Sequence, residues 1–366
     1  MKKLNLLFIL FTITLFTQSC KDDEMNNDYD VPTTYNFENV SYQGQLDRLG
    51  MLGELKSKIS SVTDGVSTLN AAELSAMYAN DPSANWSGTY GSTKQLRSKT
   101  DTNAQATFDA LLNQAAADAS AALGMASEGQ AGIISSLDGE KNYFVNATGV
   151  EYAQIIEKGL MGACLMHQAT EIYLGPGKMD GDNTDVIDGE GTEMEHHWDE
   201  SFGYLGVPTD FPTNTSGLVF WGKYCNGRDG VINTNATLMN AYIKGRAAIS
   251  NDDLTTRDAQ IEIIRNTYDE VSAGTAIHYL NSASSNFNDD ARRVHALSEA
   301  VAFIYSLNFN PNAKASSSQI NTALTTVGGS VSFSSMDFYN VTIADIEAAR
   351  DQLATVYGWS DIKTSF

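Results

Sequence analysis

A chain of 366 residues that is 42% hydrophobic and 19% charged holds enough apolar residues for one large packed domain or two of ordinary size, which excludes wholesale disorder. Its 45 acidic against 23 basic residues give a formal charge of −22. That balance argues against nucleic acid as a partner, because a phosphate backbone needs clustered Lys and Arg.

Residues 1–20 read as a secretory signal: Lys2 and Lys3, an apolar run over residues 4–16, and a small residue before Cys20. The run is too short for a membrane-spanning helix. Cys20 stands where a bacterial lipoprotein signal, which this stretch resembles, places its lipidated cysteine, with Thr17 at the position usually held by Leu. The cluster Lys21-Asp22-Asp23-Glu24 is similar to the surface-export signal of outer-membrane lipoproteins in some Gram-negative bacteria. The implied location is the outer membrane and cell surface, with membrane contact through a lipid on Cys20. Residues 21–36 are acidic and without periodicity, as a tether would be.

Helical spacing begins with Leu46, Leu49, Met51, Leu52, Leu55 and Ile59, and a second helix is expected over residues 71–79, ended by Asp81-Pro82. Residues 83–100 read as a surface loop carrying Trp86 and Tyr90, and the alanine-rich stretch after Asp101 as a helix. A glycine-rich break through Gly149 leads to a long helix over residues 151–174, closed by Gly175-Pro176-Gly177. The acidic loop with Asp180, Asp182, Asp185, Asp188 and Glu190 invites a calcium reading, but Asp185 falls where an EF-hand needs glycine and Gly191 where it needs glutamate. A solvated loop is expected.

The next helix aligns Met194, Trp198, Phe202 and Leu205 on one apolar stripe. Residues 207–230 read as a loop-rich aromatic segment, after which helices are expected over residues 236–249, 257–281, 289–307, 317–327 and 343–357. Strand signals are scarce, the alternating candidate lying at residues 331–339. The expected fold is all-α: a domain over residues 37–366 made of two helical-bundle-like halves, about 37–180 and 181–366, joined by long loops.

Three histidines stand one turn from a glutamate: His167 with Glu171, His197 with Glu200, and His295 with Glu299. Periodicity also allows His196 with Glu200. A single such pair is ordinarily a solvated surface pair, and a histidine on an apolar face, such as His167 or His278, is ordinarily a hydrogen-bonded core residue. Imidazoles and carboxylates projecting from several helices into a bundle are, however, a recurring way to build a transition-metal site. The expected ligands are His197 and Glu200, with His278, His295 and Glu299 as contributors; iron or another divalent metal is the expected cofactor. His196 is expected to point away. H-E-x-x-H, H-x-x-E-H, C-x-x-C and G-x-S-x-G are all missing, so no catalytic residue is assigned. Cys164 and Cys225 allow one disulfide or two buried free thiols.

The stretches YNFENVSYQGQ, MEHHWDESFGYLGVPTDFP, FWGKYCNGRDG and HALSEAVAFIYSLNFNP resemble a family of bacterial surface lipoproteins that looks like a relative of the imelysin-like proteins. The hallmark of the latter is G-x-H-x-x-E. Here it is matched by His197 and Glu200, with Glu195 in place of the glycine. The resemblance implies a helical extracytoplasmic protein of two bundle-like halves with an iron-related binding role. The competing expectations are a metallopeptidase with Glu200 as base, and a metal-free surface module that binds protein or glycan through aromatic loops such as residues 86–90 and 211–221.

Overall fold

The computed structural model describes residues 29–120 and 123–366, so the signal sequence, Cys20 and most of the tether lie outside the described residues. The fold is all-α as expected, with one two-stranded sheet among the described residues. Helix α1 (Gln43–Ser60) buries Leu49, Met51, Leu52, Leu55 and Ile59. Helix α2 (Ala71–Ala79) starts where the Asn70 side chain accepts from the backbone of Ala72 and Glu73, and α3 (Thr102–Ser120) lays Ala104, Ala115 and Ala116 into the core.

The glycine-rich break conceals a hairpin. Strand β1 (Gly132–Ser135) pairs antiparallel with β2 (Asn142–Val145), in a register from Gly132 opposite Val145 to Ser135 opposite Asn142. Four-residue strands are too short to show a period-two pattern in sequence. Helix α4 (Tyr152–Leu160) then runs without interruption into a π-helical segment (Met161–Tyr173), so the long helix expected over residues 151–174 is one rod whose second part has widened turns.

After the short α5 (Pro176–Met179) come α6 (Glu193–Gly203), α7 (Phe220–Ile232), α8 (Thr234–Ser250), α9 (Leu254–Ser285), α10 (Asp290–Ser306), α11 (Ser317–Gly328) and α12 (Ile343–Tyr357). Asp253 and Asp289 cap α9 and α10, and capping boxes open α11 and α12. Helix α7 corrects the loop reading of residues 207–230. Gly222, Gly227 and Gly230 lower its propensity, yet Trp221, Tyr224, Cys225 and Arg228 are buried at helical spacing. Residues 331–339 are no strand: a short 3₁₀ turn (Phe333–Ser335) buries Phe333, and Met336 and Phe338 after it are buried as well.

Residues Val31–Phe366 form one compact unit. Helix α4 packs across α10 and α1, and α9 lies between α8, α10 and α12, so helices from both sides of residue 180 share a core.

Helix α6 is fixed by three means. Thr192 and Glu195 close a capping box at its start. Trp198 inserts against α8, donating from Nε1 to the carbonyl of Tyr242 at 3.0 Å, where Gly245 makes room: a β-carbon there would lie 2.0 Å from the indole. Below it the buried Arg246 spans Asp199 (3.1 Å) and Glu195 (2.5 Å), while the Tyr35 hydroxyl donates to Asp199 at 2.5 Å. Burial pushes the Asp199 carboxyl up to about 7, against the opposing pull of Arg246 and the Tyr35 hydroxyl. Replacing Arg246 by Met strands two carboxylates and is expected to cost about 3–5 kcal/mol. Gly245→Ala, an overpacking change, is expected to cost about 1–3 kcal/mol. Urea unfolding of the two variants measures both, and a midpoint unmoved in Arg246→Met would show that the network contributes nothing.

Candidate functional site

On α6, Glu200 does not face His197. Its Oε1 accepts from Gln45 Nε2 on α1 at 2.8 Å and from the Tyr173 hydroxyl at 3.1 Å, while its Oε2 lies 3.9 Å from His196 Nε2. The i, i+4 pairing with His196 is therefore the one realised, against the expectation that His196 points away. Helix α1 can present Gln45 there because Gly203 lets the helices touch; a β-carbon at Gly203 would lie 2.9 Å from that of Gln45. His197 is buried and turns the other way, its Nε2 receiving the ammonium of Lys178 at 2.8 Å. Burial and the Lys178 charge hold its imidazole below the usual 6.5. Lys99 donates to the Tyr173 hydroxyl at 3.1 Å, and burial lowers its ammonium too.

The second group stands on α10. His295 Nδ1 meets Glu151 Oε2, at the N-cap of α4, at 2.6 Å, and its Nε2 lies 3.7 Å from Glu299 Oε2. The hairpin supplies Tyr143, stacked on the imidazole with centroids 4.3 Å apart. Leu137 N and Arg292 fasten the hairpin tip to α10 through Asp289 and Asp138. Lys158 on α4 is almost fully buried, paired with Glu157 and, at 3.7 Å, with Glu299. Burial would lower the His295 imidazole, but the Glu151 carboxylate overrides it and the net direction is up.

Of these, Tyr143, Glu157, Lys158, Arg292, His295 and Glu299 form one wall of a cleft of about 460 Å³, lined also by Lys56, Lys223, Tyr224, Tyr279, Ser282 and Asn286. Four basic side chains, Lys56, Lys158, Lys223 and Arg292, converge there against Glu157 and Glu299. Lys56 and Lys223 have no ion pair among the described residues, and the Lys223 ammonium sits over the Tyr224 ring at 5.7 Å.

The expected ligands are thus divided. His197 and Glu200 belong to the α6 cluster and His295 and Glu299 to the cleft, whereas His278 faces Arg228 and the chain end at Phe366. A protein-held ion needs several deprotonated donors converging on one point. The His197 Nε2 lone pair is occupied by an ammonium, and the two ring nitrogens of His295 address different carboxylates. Among the described residues no three His, Cys, Asp or Glu side chains gather so as to hold a metal. The donor set does not fit a resident ion.

His167 pairs at 3.9 Å with Asp101 rather than with Glu171, which is exposed. Asp182 accepts from Thr184 and Asp185 within its own loop. Phe211 and Trp221 are core residues, Trp86 and Tyr90 are half-buried with their polar atoms on Asn80 and Glu54, and Phe220 is half-buried at the start of α7. Cys164 and Cys225 are free and buried.

Sequence reasoning missed Lys158, Lys223, Tyr143 and Tyr279. One signal was present: Glu157-Lys158 is the lone charged pair in the helical stretch over residues 152–170. Tyr143 had none, because it reaches His295 through an unseen hairpin.

The fold and cleft define an all-α protein organised around a charged, tyrosine-lined recess. The chain belongs to the family described as a domain of unknown function, DUF4856, whose model matches residues 32–328 and so takes in every residue of the cleft. No curated protein and no solved structure matches it.

The two imidazoles are expected to titrate in opposite directions by NMR, His295 above 6.5 and His197 below it. Because the folded value of His295 is raised, its pairing with Glu151 contributes stability that is complete below about 6.5 and lost as pH rises through the folded value. Glu151→Gln should remove both the upward shift and that pH dependence.

Proposed function

We propose that this chain is a lipid-anchored, cell-surface binding protein, distantly related to the imelysin-like proteins, that holds a small anionic ligand in the cleft between α4, α7, α9 and α10. The observation that carries the reading is the convergence of Lys56, Lys158, Lys223 and Arg292 on one recess of a chain with 45 acidic and 23 basic residues. Two of those charges, Lys56 and Lys223, are uncommitted, and charge-assisted hydrogen bonds from them would hold a carboxylate or phosphate. Tyr143, Tyr224 and Tyr279 add hydroxyls and ring faces. An iron-related role enters on this reading through an anionic chelate bound as a whole, since the side chains supply no converging donors. Binding is favoured over peptidase activity because, among the described residues, neither histidine cluster gathers the three donors that would hold an ion for an activated water.

Calorimetry of the mature chain with inorganic phosphate and citrate is expected to show binding that weakens with added salt. In Lys223→Glu, an exposed position, affinity should fall by about tenfold or more, the value of one lost charge-assisted hydrogen bond. Binding of neutral sugars on a par with these anions would overturn the reading. Metal content should be the same in His197→Ala as in the parent chain. Incorporation of labelled palmitate, lost in Cys20→Ala, tests the anchor.

A further inference from the structure

The polar cleft is adjoined at Lys158 by an apolar one. A second cavity of about 480 Å³ shares Glu157, Lys158, Lys223 and Tyr224 with it, and the remaining lining is apolar or backbone. Leu46, Leu49, Gly50 and Gly53 form one face of α1, at helical spacing, and across from them lie Leu218, Val219 and Phe220. Gly53 matters because it leaves the floor open: the nearest atom to a β-carbon there would be in the Phe220 ring, 3.9 Å away.

Two of the large apolar side chains left open to solvent, Leu46 at 42% and Val219 at 39% exposure, are in this groove. Phe220 stands at a φ of +45°, a left-handed conformation that costs a bulky residue strain and sets its ring at the groove as α7 begins. One turn later the same helix presents Lys223 at the junction with the polar cleft. The first turn of α7 therefore supplies an apolar wall and a free cation side by side.

We infer that the ligand is a single-tailed anionic amphiphile, its acidic head in the cleft at Lys56, Lys223 and Lys158 and its apolar tail along the groove between α1 and Phe220. The inference rests on the anion-binding reading above and specifies the class of ligand. Charge complementarity fixes the head at the cationic end, and the residues the two cavities share, Glu157, Lys158, Lys223 and Tyr224, set where the tail leaves it. A neutral amphiphile would leave the unpaired lysines without a partner, and a bare anion would leave the apolar groove wet.

The test is calorimetry of the mature chain with octyl phosphate, inorganic phosphate and octyl glucoside. Octyl phosphate should bind at least about tenfold more tightly than either of the others, because burial of even a few methylenes is worth that factor. Gly53→Phe fills the groove and should return octyl phosphate to the level of inorganic phosphate, leaving inorganic phosphate unchanged. Leu46→Glu, at an exposed position, should do the same by charging the groove. Equal affinity for octyl phosphate and inorganic phosphate would overturn the tail while leaving the anion site intact. Equal affinity for octyl phosphate and octyl glucoside would overturn the coupling of head to tail, and binding of neither anion would overturn the anion reading itself.

Discussion

An ammonium group placed in the middle of an apolar helix must be neutralised, and Lys158 is that group here. Leaving a charge alone in the interior costs several kcal/mol, roughly the whole margin of a domain's stability, so carboxylates have to come to it. Glu157 comes from its own helix and Glu299 from α10. Glu299 in turn borders His295, whose other nitrogen is held by Glu151 at the start of α4, and the backbone of Glu151 donates to Ser298 at 2.9 Å. The packing of α4 on α10, which ties the earlier helices to the later ones, is thus stitched by the same charges that wall the cleft. Structure and recess are one arrangement.

The phrase Glu195-His196-His197-Trp198-Asp199-Glu200 reads differently once its side chains are followed outward. Trp198 and Asp199 belong to the core, where they hold α6 against α8 and the N-terminal segment. Glu195 closes a capping box and binds Arg246. Half of the phrase is therefore accounted for by packing; of the remaining three residues, Glu200 meets Gln45, Tyr173 and His196, while His197 turns to Lys178.

Most helices were legible because long amphipathic stretches with capping residues leave a periodic trace, and residues 71–79 and 343–357 were placed to the residue. Helix α7 was hidden by its three glycines, although its buried side chains kept helical spacing. The hairpin was hidden because its strands are too short for periodicity and its partner, the tip of α10, is remote in sequence. The same limit applied to the site. His295 with Glu299 could be read as neighbours on one helix, but Glu151 and Tyr143, about a hundred and fifty positions earlier, reach the imidazole through tertiary packing alone. Spacing along a helix says which side chains share a face and nothing about what that face meets.

The two thiols of the folded domain are each enclosed on a separate element, Cys164 beside the carbonyl of Leu96 and Cys225 beside Asn235. Burial pushes both up to about 12, so at neutral pH neither presents a thiolate to solvent. With no disulfide between them, the fold of this unit depends on no oxidant. Alkylation of either sulfur must wait for the core around it to open. The chain therefore carries its own pair of opening reporters, one in the π-helical segment behind α4 and one on α7, and their reaction rates read out the breathing of those two elements separately.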